Sequence, residues 1–114
     1  MVQVVPILRV ADVDASLTWW QQIGFVHDFT HRYGGGTDYR FMGIRHNGAD
    51  VFLSENRADA DGPSLVFVWV PDVDAVAARF GVPVEQHPWA RDFEVTDPDG
   101  NRVRVGTKDV GQSA

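Results

Sequence analysis

The stretch VADVDASLTWW, residues 10–20, returns as VPDVDAVAARF at residues 70–80. Valine, aspartate, valine, aspartate and alanine keep their order across an offset of 60 positions (70 − 10). In each copy an extended apolar run, Val4 to Val10 or Leu65 to Val70, leads into an aspartate. Asp12 and Asp72 are suited to accept hydrogen bonds from the free amides that open a helix, and their charge matches the positive end of its dipole. Behind Asp72, the residues Val73, Val76, Ala77 and Phe80 fall on one helical face. Val13, Leu17, Trp20 and Ile23 have similar spacing behind Asp12. Gly24 and Gly81 then stand where a helix leaves in a left-handed conformation.

After each predicted helix the period shifts toward two. Val26–Tyr33 and Tyr39–Arg45 read as strands around the YGGGTD turn, and Asn47-Gly48 predicts a hairpin ahead of Val51–Ser54. Val84–His87, Phe93–Thr96 and Arg102–Val105 take the same places in the second half, the last two joined by the tight turn DPDGN at 97–101. NRADADGPS, residues 56–64, is the polar linker. The predicted class is α+β: two tandem β-α-β-β-β modules, about 3–55 and about 64–107, within one domain over 1–114. A four-stranded sheet with one helix covers a single face. Two such sheets are therefore expected to form an incomplete barrel with a concave cleft.

Composition narrows the function. A chain of 114 residues, 44% hydrophobic and 23% charged, has the size and balance of a globular domain. The absence of cysteine excludes disulfides, thiolate metal sites and a cysteine nucleophile. MVQVVPILRV carries no basic leader, and no apolar stretch approaches the roughly 20 residues that cross a bilayer, so a cytoplasmic protein without a membrane partner is expected. A net charge of −6, from 16 acidic and 10 basic residues, argues against nucleic acid, which is held by lysine and arginine on phosphates. No G-x-S-x-G elbow surrounds a serine, and YGGGTDY lacks the lysine of a phosphate-binding loop. No catalytic residue is expected. His27 and His31 alone do not fill a tetrahedral metal site, and His46 and His87 have no evident partner in sequence. These histidines read as solvated or turn residues, and Glu55, beside the linker, as exposed.

The aromatic residues carry more. Trp20 shares the apolar helix face with Leu17 and belongs to the core, with Trp19 at its edge or on the surface. Phe67 and Trp69 are two apart and share a strand face with Leu65. Val66, Val68 and Val70 suit the core side and leave those rings free to line the concavity. Trp89, between Pro88 and Arg91 in a strand-entry loop, needs a groove or a ligand. Asp28 and Phe29, adjacent in sequence, point to opposite faces if the segment is extended.

The duplicated modules, RVADV leading into a helix, IGFVHDF (23–29), SLVFVWV (64–70) and QHPWARDFEVTDPDGN (86–101) resemble the vicinal oxygen chelate superfamily of glyoxalase I, extradiol dioxygenases and bleomycin-resistance proteins. Within it the chain is most similar to the bleomycin-resistance proteins. The superfamily's enzymes place four metal ligands on four strands. The matching positions here are Val5, about Leu53, Leu65 and Arg104, with Ser54 one residue along. Valine and leucine offer no lone pair, and arginine is a permanent cation. The resemblance therefore implies no metal and no cofactor, any metal arriving with the drug.

The resemblance further implies a protein that sequesters bleomycin-family glycopeptide drugs unchanged, with the positions of Asp28, Phe29, Phe67 and Trp89 lining its pocket; Trp69, in phase with Phe67, and Arg91 complete the expected ligand-binding set. The alternatives are a metal-dependent lyase, isomerase or dioxygenase of the superfamily, or a binder of another aromatic molecule such as mitomycin. It also implies a homodimer that exchanges an N-terminal strand, and Pro6 suits a hinge or an edge there.

Overall fold

Two β-α-β-β-β runs follow one another through residues 2–108, which the computed structural model describes; the ends of the expected domain, residue 1 and residues 109–114, lie outside the described residues. The first run is β1 (Ile7–Arg9), α1 (Val13–Gln21), β2 (Val26–Arg32), β3 (Arg40–His46) and β4 (Ala49–Ser54). The second is β5 (Leu65–Trp69), α2 (Val73–Phe80), β6 (Glu85–Gln86), β7 (Ala90–Thr96) and β8 (Arg102–Lys108). Each run makes one four-stranded sheet, in the orders β1-β4-β3-β2 and β5-β8-β7-β6. In both, the first strand pairs parallel to the last and the other pairs are antiparallel. One compact unit holds the chain up to Ser64 together with Asp97–Asn101; the other holds Leu65–Thr96 and the chain from Arg102.

Both helices begin as their aspartates require. Asp12 Oδ1 accepts from the amides of Asp14 (2.9 Å) and Ala15 (3.3 Å), and Asp72 Oδ1 from that of Ala75 (3.2 Å). Gly81 closes α2 in the left-handed region at φ 68, whereas α1 ends in Gln22 with ordinary helical angles and turns later, at Gly24 with φ 123. In the first unit α1 buries Val13, Ser16 and Trp20. Trp20 meets Phe25 edge-on at 5.1 Å, and Met42, Ile44 and Leu53 of β3 and β4 fill the same core. Full burial of each such side chain contributes about 1.5–3 kcal/mol. In the second unit Val73, Val76 and Ala77 of α2 are buried, as are Phe93, Val103 and Val105.

Three features depart from expectation. β1 pairs over only Ile7–Arg9; Pro6 has no amide to donate, and its carbonyl accepts from Phe52 N at 2.9 Å. β7 begins at Ala90 rather than Phe93, because Ala90, Arg91 and Asp92 pair with Lys108, Thr107 and Gly106. Glu55 is buried rather than exposed: its Oε2 accepts from Val13 N (3.0 Å) and Arg40 Nη2 (3.0 Å), and its Oε1 from Arg40 N (2.8 Å). Carboxylates of Asp14 and then Glu55 raise the pKa of the Arg40 guanidinium, so this cation is permanently charged.

The DPDGN turn is more than a connection. Asp97 and Asn101 are buried, and Asp97 Oδ1 accepts from the amides of Asp99 (2.9 Å) and Asn101 (2.8 Å). Asn101 Nδ2 donates to Arg9 O (3.0 Å), its Oδ1 accepts from Ser64 N (2.9 Å), and Asp99 Oδ1 accepts from Ala11 N (2.9 Å).

Candidate ligand-binding faces

Strand alternation decides which side chains each helix leaves uncovered. In the second unit Val66 and Val68 turn toward the core and Leu65, Phe67 and Trp69 turn away, where they are exposed. Phe67 lies across from Arg104, and Trp69 from Gly106. Trp89, in the turn before β7, reaches the same group: its ring centroid is 6.2 Å from that of Phe67, which is 4.5 Å from Trp69. Relative exposures of 36% for Phe67, 48% for Trp69 and 49% for Trp89 leave much of this ring surface in water. A contiguous apolar patch of this kind marks a binding surface more often than scattered exposed residues do.

Gly106 makes the group possible. A Cβ there would stand 2.8 Å from Phe67 Cζ, 3.1 Å from Arg91 O and 3.2 Å from Asp92 Cβ, so only glycine lets the phenyl ring lie so close to the sheet. The group is edged by charge. Lys108 Nζ stands 5.5 Å above Trp69, within cation–π range. Glu94 is matched by Arg104 Nε at 2.9 Å and Arg102 Nη1 at 3.7 Å. Asp92 is buried at 7% exposure, and His87 Nε2 lies 3.0 Å from its Oδ1. The His87 ring stacks on Trp89 at 5.3 Å and 9°. His87 thus has partners that its isolated place in the sequence hid.

Arg91, expected among the ligand-binding residues, is engaged by α2 and β6. Its Nη2 pairs with Asp74 Oδ1 of α2 at 2.6 Å and its Nη1 donates to Gln86 Oε1 at 3.2 Å. Alternation along β7 sends it to the side of Phe93, which meets Phe80 of α2, and opposite to Asp92.

The first unit repeats the theme with other residues. Phe29 is exposed at 39%, and its ring stacks on Phe41 (6.2 Å, 22°) and meets Phe52 edge-on (5.6 Å). Gly43, opposite Phe29 in the ladder, has Phe29 Cδ1 only 2.7 Å from where a Cβ would be. Asp28 occupies a bulge, with the register shifting between His27 and Phe29, and it is exposed. Arg45 pairs with Asp50 at 2.9 Å; this bond, followed by nearby carboxylate charge including Asp28, raises its pKa. Phe41 and Phe52 were not singled out in the sequence, although each alternates with a buried core neighbour, Met42 or Leu53. The structure therefore brings Phe67, Trp69 and Trp89 together in one unit, and gives Phe29 two further rings in the other.

The positions matched to the superfamily's ligand strands carry no coordinating side chain. Leu53 faces the core, Leu65 is exposed, and Arg104 is paired with Glu94. Ser54, the neighbour of Leu53, gives its hydroxyl to Asp59 Oδ2 at 2.7 Å. No helix among the described residues is long and apolar enough to cross a membrane.

The family model described as "Glyoxalase superfamily protein" matches residues 1–112. No curated protein matches the sequence. Among solved structures, the bleomycin-binding protein from bleomycin-producing Streptomyces verticillus, complexed with copper(II)-bleomycin, is 28% identical, with 96% of this chain and 98% of that one covered and a TM-score of 0.66. An antibiotic binding protein from a Streptomyces species is 23% identical, with 96% and 97% covered and a TM-score of 0.71. A lactoylglutathione lyase from Agrobacterium tumefaciens is 22% identical, with 94% and 92% covered and a TM-score of 0.64. The last two are likenesses of fold alone. The fold is thus shared by proteins that bind antibiotics and by an enzyme.

Proposed function

The chain belongs to the glyoxalase superfamily, and from that premise we propose that it is a binding protein that sequesters a bleomycin-type drug without changing it. The observation that carries this reading is the group Phe67, Trp69 and Trp89, in which Phe67 meets both tryptophans and each ring is more than a third exposed. A flat heteroaromatic stacks on such rings, each pair adding about 0.5–1.5 kcal/mol beyond area burial. A cationic tail is favoured by the same ring faces. Glu94 is a poorer partner, since two arginines already neutralise it. Leucine and arginine at the ligand positions support binding over catalysis, and the structural likeness to a copper(II)-bleomycin complex supports the ligand class. A ligand that brings its own metal needs none at those four positions. The protein acts in this reading as a cytoplasmic homodimer.

The test is calorimetric titration with metal-free and copper-loaded bleomycin, followed by recovery of the drug. Both forms bind and are recovered intact, and Trp89→Ala weakens binding by about tenfold, the loss of one stacked ring and its buried area. Unchanged affinity in Trp89→Ala rejects the site, and a chemically altered drug rejects sequestration.

A further inference from the structure

Beside the rings, at the β6 edge of the second sheet, three other side chains converge. Glu85 of β6 stands directly across from Asp92 of β7, and His87 lies in the turn between those strands. One ligand atom from each lies within 4.8 Å of the others. His87 Nε2 is 3.0 Å from Asp92 Oδ1 and 3.7 Å from Glu85 Oε2. All three line a cavity of about 510 Å³ whose walls include Val82, Pro83 and Phe93.

Two observations point to a cation site. Asp92 is a carboxylate with 7% exposure, and among the described residues no lysine or arginine pairs with it; its partner is His87 alone. A carboxylate buried this deeply favours a positive charge facing it. The His87 ring lies flat against Trp89, and its Nε2 is turned toward both carboxylates. Donors around a tetrahedral zinc ion, with bonds of about 2.0–2.2 Å, stand roughly 3.3 Å apart. The two separations at His87 bracket that distance.

We propose that Glu85, His87 and Asp92 bind a divalent first-row transition-metal ion, with its remaining coordination positions open to the cavity. Two carboxylates and a neutral imidazole balance a divalent charge, and a nitrogen donor favours zinc, nickel or copper over magnesium or calcium. None of the three occupies a strand position matched to the superfamily's ligands, and the proposal stands apart from the drug-binding reading.

The test uses the full chain, stripped with chelator and free of drug, titrated with Zn²⁺. One equivalent binds saturably, and His87→Ala and Asp92→Asn each weaken it by about tenfold or more. Paramagnetic Ni²⁺ at the same site quenches Trp89 fluorescence, and Trp89→Phe removes that quenching while zinc still binds. Absence of saturable binding overturns the proposal, as does binding that survives both variants and disappears in His27→Ala or His31→Ala. If Asp92→Asn fails to fold, His87→Ala decides alone, since that side chain is a third exposed and its loss leaves the strands paired.

Discussion

Alanine at Gly43 separates holding the fold from holding a ligand. A Cβ there runs into Phe29 Cε1, with Cδ1 at 2.7 Å and Cζ at 2.9 Å, and all three atoms belong to one half-exposed ring. The backbone is no obstacle, since Gly43 does not have a positive φ. The ring therefore swings out. It forfeits its contacts with Phe41 and Phe52, worth about 0.5–1.5 kcal/mol each, while alanine recovers about 0.5–1 kcal/mol of the entropy that glycine loses in a strand. The net cost in urea unfolding is about 0–2.5 kcal/mol, centred near 1 kcal/mol.

The same change at Gly106 has no such outlet, because Arg91 O at 3.1 Å and Asp92 Cβ at 3.2 Å are fixed by the β7–β8 ladder. Overpacking there costs about 1–3 kcal/mol. If Phe29 contributes one stacked surface to the drug, Gly43→Ala weakens binding by about 0.5–1.5 kcal/mol, roughly two- to twelvefold. Urea unfolding of both variants, paired with bleomycin titration of Gly43→Ala, is the assay. The packing argument is refuted if Gly43→Ala unfolds more readily than Gly106→Ala.

Glu55→Gln replaces one of the two accepting oxygens with an NH2 that faces N–H donors, and should lose about 1–3 kcal/mol in urea unfolding. Asn101→Ala strips partners from Arg9 O and Ser64 N, with an expected loss of about 2–4 kcal/mol by the same measurement. The hydrogen bond from Tyr33, and then that from Ser54, holds the Asp59 carboxyl below its usual pKa. A depressed folded pKa stabilises fully above the unfolded value near 3.8 and is lost as pH falls through the lower folded value. Asp59→Asn should therefore be less stable than the parent at neutral pH and converge on it in acid, a difference that urea unfolding across that range reads directly.

The two modules were legible because their signals are local. A cap aspartate, a helical stripe and a change of period all fit within a dozen residues, and the repeat supplied each signal twice. The open side of β5 was legible for the same reason, since Phe67 and Trp69 alternate with valines. What was not legible depends on register. Glu85 and Asp92 meet because β6 and β7 pair, and nothing in QHPWARD announces that β7 begins at Ala90. That early start also sets Arg91 on the side of α2, where it pairs with Asp74. Glu55 looked like a linker residue because its partners, Val13 and Arg40, come from other elements. At Asp28 one bulge undoes the simple alternation that places neighbours on opposite faces.

Asn101 carries a consequence for the chain as it is made. Ser64 waits for it across 37 residues, and Arg9 across 92. At a ribosome adding about 5–20 residues per second, the stretch after Ser64 alone takes roughly 2–7 s to synthesise. Until Asp99 and Asn101 are made, the groups at Arg9, Ala11 and Ser64 lack these partners. The last clasp on β1 thus arrives only once the chain has grown 92 residues past Arg9.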